Sequence, residues 1–177
     1  MTADEGIRKE WKKDRQAGFT LLCETYGRTV YSICYRYTGS REDALDLVQE
    51  TYICLYSSFD RIRPDLPIRP WLCRISANVC LNFLRDRKNT VPLQEDSMGA
   101  GGQEAFRQLD DRILLDRYLG QLPPDMRMAL ILRHRQDLTC REIAEAMELP
   151  EGTVKTLLHR GRKRLREMLM KSGEMGA

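Results

Sequence analysis

The stretch from Thr139 to Arg166, TCREIAEAMELPEGTVKTLLHRGRKRLR, constrains the chain most, because it encodes a capped helix, a tight turn and a second, basic helix in succession. Thr139 and Glu142 stand three apart, the spacing of a capping box, in which the Thr hydroxyl accepts from the Glu amide and the Glu carboxylate returns to the Thr amide. Ile143, Ala144 and Met147 follow at helical spacing, with small Ala144 where another helix can cross closely. Leu149 closes this first helix, and Pro150 suits the opening of the next, since its missing amide hydrogen would have had no partner there. At about 100° per residue, Val154, Leu158, Gly161 and Leu165 share one face that Met168 and Leu169 extend. Thr156, His159, Arg160 and Lys163 lie opposite, flanked by Lys155 and Arg162. Across Thr153–Lys171 seven basic residues (155, 160, 162, 163, 164, 166, 171) face one acid, Glu167. A solvated basic helix is the bland reading of such a run. Preceded by a capped helix and a short turn, it is better read as the second helix of a DNA-reading helix-turn-helix, with donors at the reach of phosphates and base edges.

The rest of the chain is also helical in pattern. Phe19, Leu22, Tyr26, Val30, Ile33 and Tyr37 recur every three or four residues until Gly39-Ser40 interrupts them. Ser40 then caps a helix from Arg41 to Phe59 with acids in its first turn and Ala44, Leu47, Val48, Thr51 and Leu55 inward. Asp43, Asp46, Gln49 and Glu50 are left outside as a polar, net acidic strip. Asp60–Pro70 carries three prolines in seven residues (64, 67, 70), so it is a constrained loop presenting Arg61, Arg63 and Arg69. Trp71 opens the next helix, with Leu72, Ile75, Val79 and Phe83 inward and Arg74, Asn78, Asn82, Arg85, Arg87 and Lys88 outward. A lone Trp is more often core, but beside a basic loop and an Arg/Asn face Trp71 is a candidate for stacking unpaired bases. Between 91 and 105 helical periodicity is lost and three glycines fall in four residues, which predicts a flexible linker. Helix resumes near Phe106, with Leu109, Ile113, Leu114 and Tyr118 leading to Gly120. Pro123-Pro124 starts another helix that ends before Asp137. With no strand pattern and no repeat, the fold class is all-α: two small helical domains, residues 1–90 and 106–177, joined by the 91–105 linker.

The 177-residue composition, 31% charged and 42% hydrophobic, is that of a globular protein, and the net charge of +3 matters less than its uneven distribution. Six cysteines without a Cys-x-x-Cys pair, and only two histidines, provide neither a zinc site nor a disulfide framework, so reduced thiols and no metal or cofactor are expected. The polar N-terminus is no signal peptide and no apolar run reaches a membrane span, which predicts a cytoplasmic protein without membrane insertion.

Taken together, Glu42–Tyr52 (EDALDLVQETY), Pro70–Ile75 (PWLCRI) with Asn78, Leu122-Pro-Pro, Glu142–Ala146 (EIAEA) and Glu151–Lys155 (EGTVK) resemble the bacterial extracytoplasmic-function sigma factors over roughly Phe19 to Leu169. Each motif alone is weak; their order and spacing are specific. The resemblance implies a promoter-specificity subunit that binds core RNA polymerase and promoter DNA, melts the DNA, and answers to an anti-sigma factor. It implies polymerase binding by Asp43, Asp46, Gln49 and Glu50. The −10 strand would fall to Arg61, Arg63, Arg69, Trp71, Arg74, Asn78 and Asn82, and the −35 element to Thr153, Lys155, Thr156, His159, Arg160, Lys163 and Arg164. Three positions depart from the family pattern: Leu157 where an Arg or another polar residue is usual, Glu148 for a turn glycine, and Gly161 for an alanine. Leu157 lies about 60° from the buried centre of its helix, where it can pack or meet a thymine methyl.

Two rival readings remain. A self-sufficient helix-turn-helix repressor or response-regulator output domain would leave the proline loop, Trp71 and the acidic strip without a role. A helical adaptor would bind only proteins. An enzyme is not expected, because paired carboxylates, Ser/His or Cys/His sets and phosphate-cradling glycine loops are missing from the sequence.

Overall fold

The computed structural model describes residues 2–90 and 116–173, and every regular element among them is helical. The expected linker at 91–105, and the helix expected from Phe106, lie outside the described residues as far as 115.

The chain begins with a helix that apolar periodicity did not mark out. α1, Ala3–Lys13, starts on a capping box between Thr2 and Glu5 and buries Ile7 and Trp11. Asp14 both ends α1 and caps α2, Arg15–Thr38, by accepting from the Gln16 amide at 2.9 Å. So short a junction folds α1 back on α2, and Gly18 allows their close crossing, because a Cβ there would fall 2.4 Å from Trp11 Cα. α2 ends on Gly39 in the left-handed conformation, at φ 68°. As expected, Ser40 caps α3, Arg41–Ser58, by accepting from the Asp43 amide at 3.3 Å. A 3-10 turn, Phe59–Arg61, leads through the proline loop to α4, Ile68–Thr90, which packs across both α2 and α3. Leu22, Ile33, Tyr37, Leu47, Leu55, Ile68 and Leu72 are fully buried here, and full burial of a large apolar side chain contributes about 1.5–3 kcal/mol.

The second group opens with a helical stretch at 116–119, then α5, Pro124–His134, α6, Cys140–Met147, and α7, Glu151–Lys171. α5 places Pro123 and Pro124 where a helix start needs no amide hydrogen. It buries Met126, Met128, Ala129, Leu130, Ile131 and Leu132 almost all round, so it is the central rod that α6 and α7 clasp.

The two groups pack on each other, α4 against α5 and α6 and α2 against α5. Arg127 spans the seam, donating to the Tyr37 carbonyl at 2.7 Å and to the carbonyls of Gly120 (2.7 Å) and Leu122 (3.0 Å). Asp116 receives Arg36 from one side at 3.1 Å and Arg135 from the other at 3.2 Å. No helix among the described residues is long and apolar enough to cross a membrane, and no His/Cys/Asp/Glu group among them could hold a metal. All six cysteines are free; Cys34, Cys73 and Cys80 are buried, and burial pushes the Cys73 thiol up to about 12.

Candidate nucleic-acid interface

The helix-turn-helix is built as its sequence implies. The Thr139 amide donates to Glu142 at 2.7 Å, and the Glu142 amide donates to the Thr139 hydroxyl at 3.2 Å. α6 stops at Met147, short of Leu149, because Glu148 turns left-handed at φ 55° and its amide closes on the Ala144 carbonyl. Pro150 stands at the N-cap position of α7, one residue ahead of its first turn, and makes no side-chain capping bond. Val154, Leu158, Gly161 and Leu165 are buried, the face expected from the helical wheel. Gly161 sits where a Cβ would come 2.9 Å from Leu130 Cδ1, so α7 crosses α5 closely there.

On the opposite face Thr153, Lys155, Thr156, His159, Arg160, Lys163 and Arg164 are all exposed. Two are partly committed: Lys155 pairs with Glu151 at 3.0 Å, which raises its pKa, and Thr156 donates back to the Gly152 carbonyl at 3.0 Å. Among the described residues His159, Arg160, Lys163 and Arg164 have no ion-pair partner, which leaves their donors available to an anion. Leu157 is half-buried and faces a cleft of about 440 Å³, whose far wall is Leu81 and Leu84 of α4, so in this arrangement it packs.

A second polar surface runs along α4 and the loop before it. Trp71, Arg74, Asn78 and Asn82 recur at three and four, and Arg74 and Asn82 are exposed while Trp71 and Asn78 are half-buried. Trp71 packs against the core, T-shaped to Phe59 with ring centroids 5.8 Å apart, and is left half-buried. Arg61 is exposed, Arg63 is tied to Asp65 at 2.8 Å, Arg69 donates to Gln136 at 3.2 Å, and Arg74 approaches Glu148 at 3.5 Å. The last two partners belong to the helix-turn-helix group, so the loop–α4 surface is turned toward it.

Sigma-70 region 2 matches residues 22–90 and sigma-70 region 4 matches residues 112–165, the segments that carry these two surfaces. The sigma-E factor of Escherichia coli K12, described as an extracytoplasmic-function (ECF) RNA polymerase sigma factor, is 31% identical over 176 residues, covering 90% of this chain and 91% of that protein. The chain belongs to the extracytoplasmic-function sigma factors. The SigW factor of Bacillus subtilis is 29% identical over 175 residues, 91% of this chain and 94% of that protein. The Bartonella quintana sigma factor RpoE, solved with the anti-sigma factor NepR, shares the fold at TM-score 0.69 and 22% identity, over 86% of this chain and 96% of its own. CnrH, solved with the cytosolic domain of CnrY, aligns at TM-score 0.69 and 23% identity, over 96% of this chain and 99% of its own. As a sigma factor the protein binds DNA and serves promoter recognition and transcription initiation.

In this sigma factor the acidic strip on α3 is only partly what the helical wheel implied. Asp46, Gln49 and Glu50 are exposed, but Asp43 is half-buried and accepts from Arg87 at 3.2 Å. Ile53, 70% exposed, continues the Asp46–Glu50 face by one turn, and Leu45 is 45% exposed beside it. Sequence reasoning passed over both because it sorted apolar residues inward; the signal was there, since Ile53 lies seven positions from Asp46 and therefore on its face. α1 was passed over too, although Thr2-Ala-Asp-Glu5 repeats the Thr-x-x-Glu pattern that located α6.

Proposed function

We propose that this sigma factor docks on core RNA polymerase through Asp46, Gln49, Glu50 and Ile53 of α3, reads −35 duplex with α7, and captures the opened −10 strand on the proline loop and α4. The observation that carries the reading is the pairing in one chain of an exposed basic α7 face, on which Arg160, Lys163 and Arg164 have no ion-pair partner among the described residues, with a separate Trp/Arg/Asn face on α4. The first supplies phosphate and base-edge donors to a major groove. The second offers what single-stranded bases take up, an aromatic edge, guanidiniums and side-chain amides. A repressor needs only the first, and a protein adaptor needs neither.

Both surfaces can engage one promoter only after the two helical groups part, since Arg74 cannot hold Glu148 and DNA together. That ion pair is 3.5 Å long between side chains 51% and 68% exposed, and exposed pairs contribute about 0–1 kcal/mol. The rest of the seam, with Arg127 on the Tyr37 carbonyl and Asp116 between Arg36 and Arg135, must open as well, so polymerase binding has to supply more than that pair contributes. The separate foldability of residues 1–90 and 106–177, with 91–105 as tether, belongs to the same proposal. An anti-sigma factor as a further partner is supported by the neighbours solved with NepR and with the CnrY cytosolic domain. Fluorescence of 2-aminopurine placed in the −10 strand tests the opening step: it should rise only when polymerase and sigma factor are both present. A rise with the sigma factor alone, or none with both, overturns the reading.

A further inference from the structure

α1 lies outside both family matches, the first of which begins at residue 22, yet its side chains hold the proline loop at both ends. At the near end the Trp11 indole donates to Asp60 at 2.8 Å, with Arg15 of α2 on the other Asp60 oxygen at 2.7 Å. At the far end Arg8 donates to the Leu66 carbonyl at 2.6 Å, and Asp4 accepts from the Ile68 amide at 2.8 Å. Ile68 opens α4, and the first amides of a helix have no intrahelical acceptor. Pro67 precedes it and has no side-chain oxygen, so α4 cannot be capped locally; Asp4 performs the capping from 64 residues away. The other Asp4 oxygen accepts from the Tyr26 hydroxyl. Burial, and then that hydrogen bond, push the Tyr26 phenol well up, so it stays protonated and keeps Asp4 aimed.

An aromatic relay runs parallel to these bonds. The Trp11 ring lies 4.2 Å from Phe59, and Phe59 meets Trp71 edge-on at 5.8 Å. The start of the loop, its end, and the Trp at the head of α4 are thus all referred to one helix.

We infer that α1 is the positioning element of the −10 surface, with Asp4 and Arg8 as the residues that set the loop and the first turn of α4 in the geometry that receives the opened strand. The inference rests on the promoter reading above. Neither residue meets DNA or polymerase in it; both act through Ile68, Leu66 and the Arg and Trp residues beside them. Their loss should slow strand opening while leaving alone the affinities set by α3 and α7.

The full-length chain with core polymerase tests this on a promoter fragment that it transcribes, with 2-aminopurine in the −10 strand. Asp4→Ala and Arg8→Ala should each slow opening about five- to tenfold, with core-polymerase affinity and −35 duplex affinity within twofold of wild type. Asp4→Asn, which keeps a neutral acceptor for the Ile68 amide, should recover most of the rate, and Lys9→Ala, on the exposed side of α1, should change nothing. If Asp4→Ala fails to fold, Arg8→Ala decides. Wild-type opening by a folded Asp4→Ala or Arg8→Ala protein overturns this inference alone, as does a proportional fall in opening, polymerase binding and duplex binding. No opening by wild type overturns the promoter reading and this inference with it.

Discussion

Replacing Gly18 with Ala should detach α1 and destabilise the protein, although alanine is the better helix former. A Cβ at Gly18 would lie 2.4 Å from Trp11 Cα, 2.5 Å from Trp11 N and 2.8 Å from Trp11 Cβ. Carbon atoms pack at about 3.5–4.0 Å, so α1 must retreat by roughly 1 Å or more. The obstructing atoms are backbone and cannot rotate aside, which puts the cost near the top of the roughly 1–3 kcal/mol typical of overpacking. Glycine-to-alanine substitution inside a helix returns up to about 1 kcal/mol. The net loss is about 2 kcal/mol, and at about 2–4 °C per kcal/mol for a chain of this size the Tm should fall by roughly 4–8 °C. Gly6→Ala in the same assay is the control: nothing lies within 4 Å of its added Cβ, so the propensity gain is unopposed and the Tm should rise. Thermal unfolding followed by circular dichroism gives both values. A Gly18→Ala protein as stable as wild type would show that the α1–α2 crossing is looser than these distances imply, and would weaken the case for α1 as a rigid reference.

Other perturbations separate the remaining contributions. Glu148→Gly should stabilise the protein by about 1 kcal/mol, because glycine adopts φ 55° without the Cβ penalty and the exposed ion pair with Arg74, which the substitution removes, contributes little; a lower Tm in denaturation would contradict this. Arg160→Ala should cost about 1–3 kcal/mol on a matched −35 duplex and much less on a scrambled one, whereas Arg164→Ala should weaken both alike and lower the salt slope by about one. Equal losses on both duplexes for Arg160→Ala would mean that α7 positions without reading through that residue. Asp46→Lys with Glu50→Lys should abolish binding to core polymerase at unchanged Tm, and Ile53→Lys should weaken it; undiminished affinity in a pull-down would remove α3 from the interface.

What was legible in the chain, and what was not, follows from the range of the forces involved. Caps and wheels are local, so Ser40, the Thr139–Glu142 box and the Val154–Leu165 face could be read directly. Residues whose placement depends on distant elements could not. Leu157 looked anomalous on a DNA-reading helix until α4 supplied Leu81 and Leu84 across the cleft. Asp4 and Arg8 are ordinary polar residues in the sequence; their partners at Ile68 and Leu66 are about sixty positions away. Asp43 fell out of the acidic strip for the same reason, drawn to Arg87 from 44 residues off.

Run-off transcription on genomic fragments, with core polymerase alone, sigma factor alone and the two together, tests the central claim most directly. The account predicts transcripts from a discrete set of start sites only in the combined reaction, and their loss when Trp71→Ala and Arg74→Ala are introduced together into a protein that still binds polymerase. Start sites indifferent to the sigma factor, or a double variant that initiates as well as wild type, would contradict it.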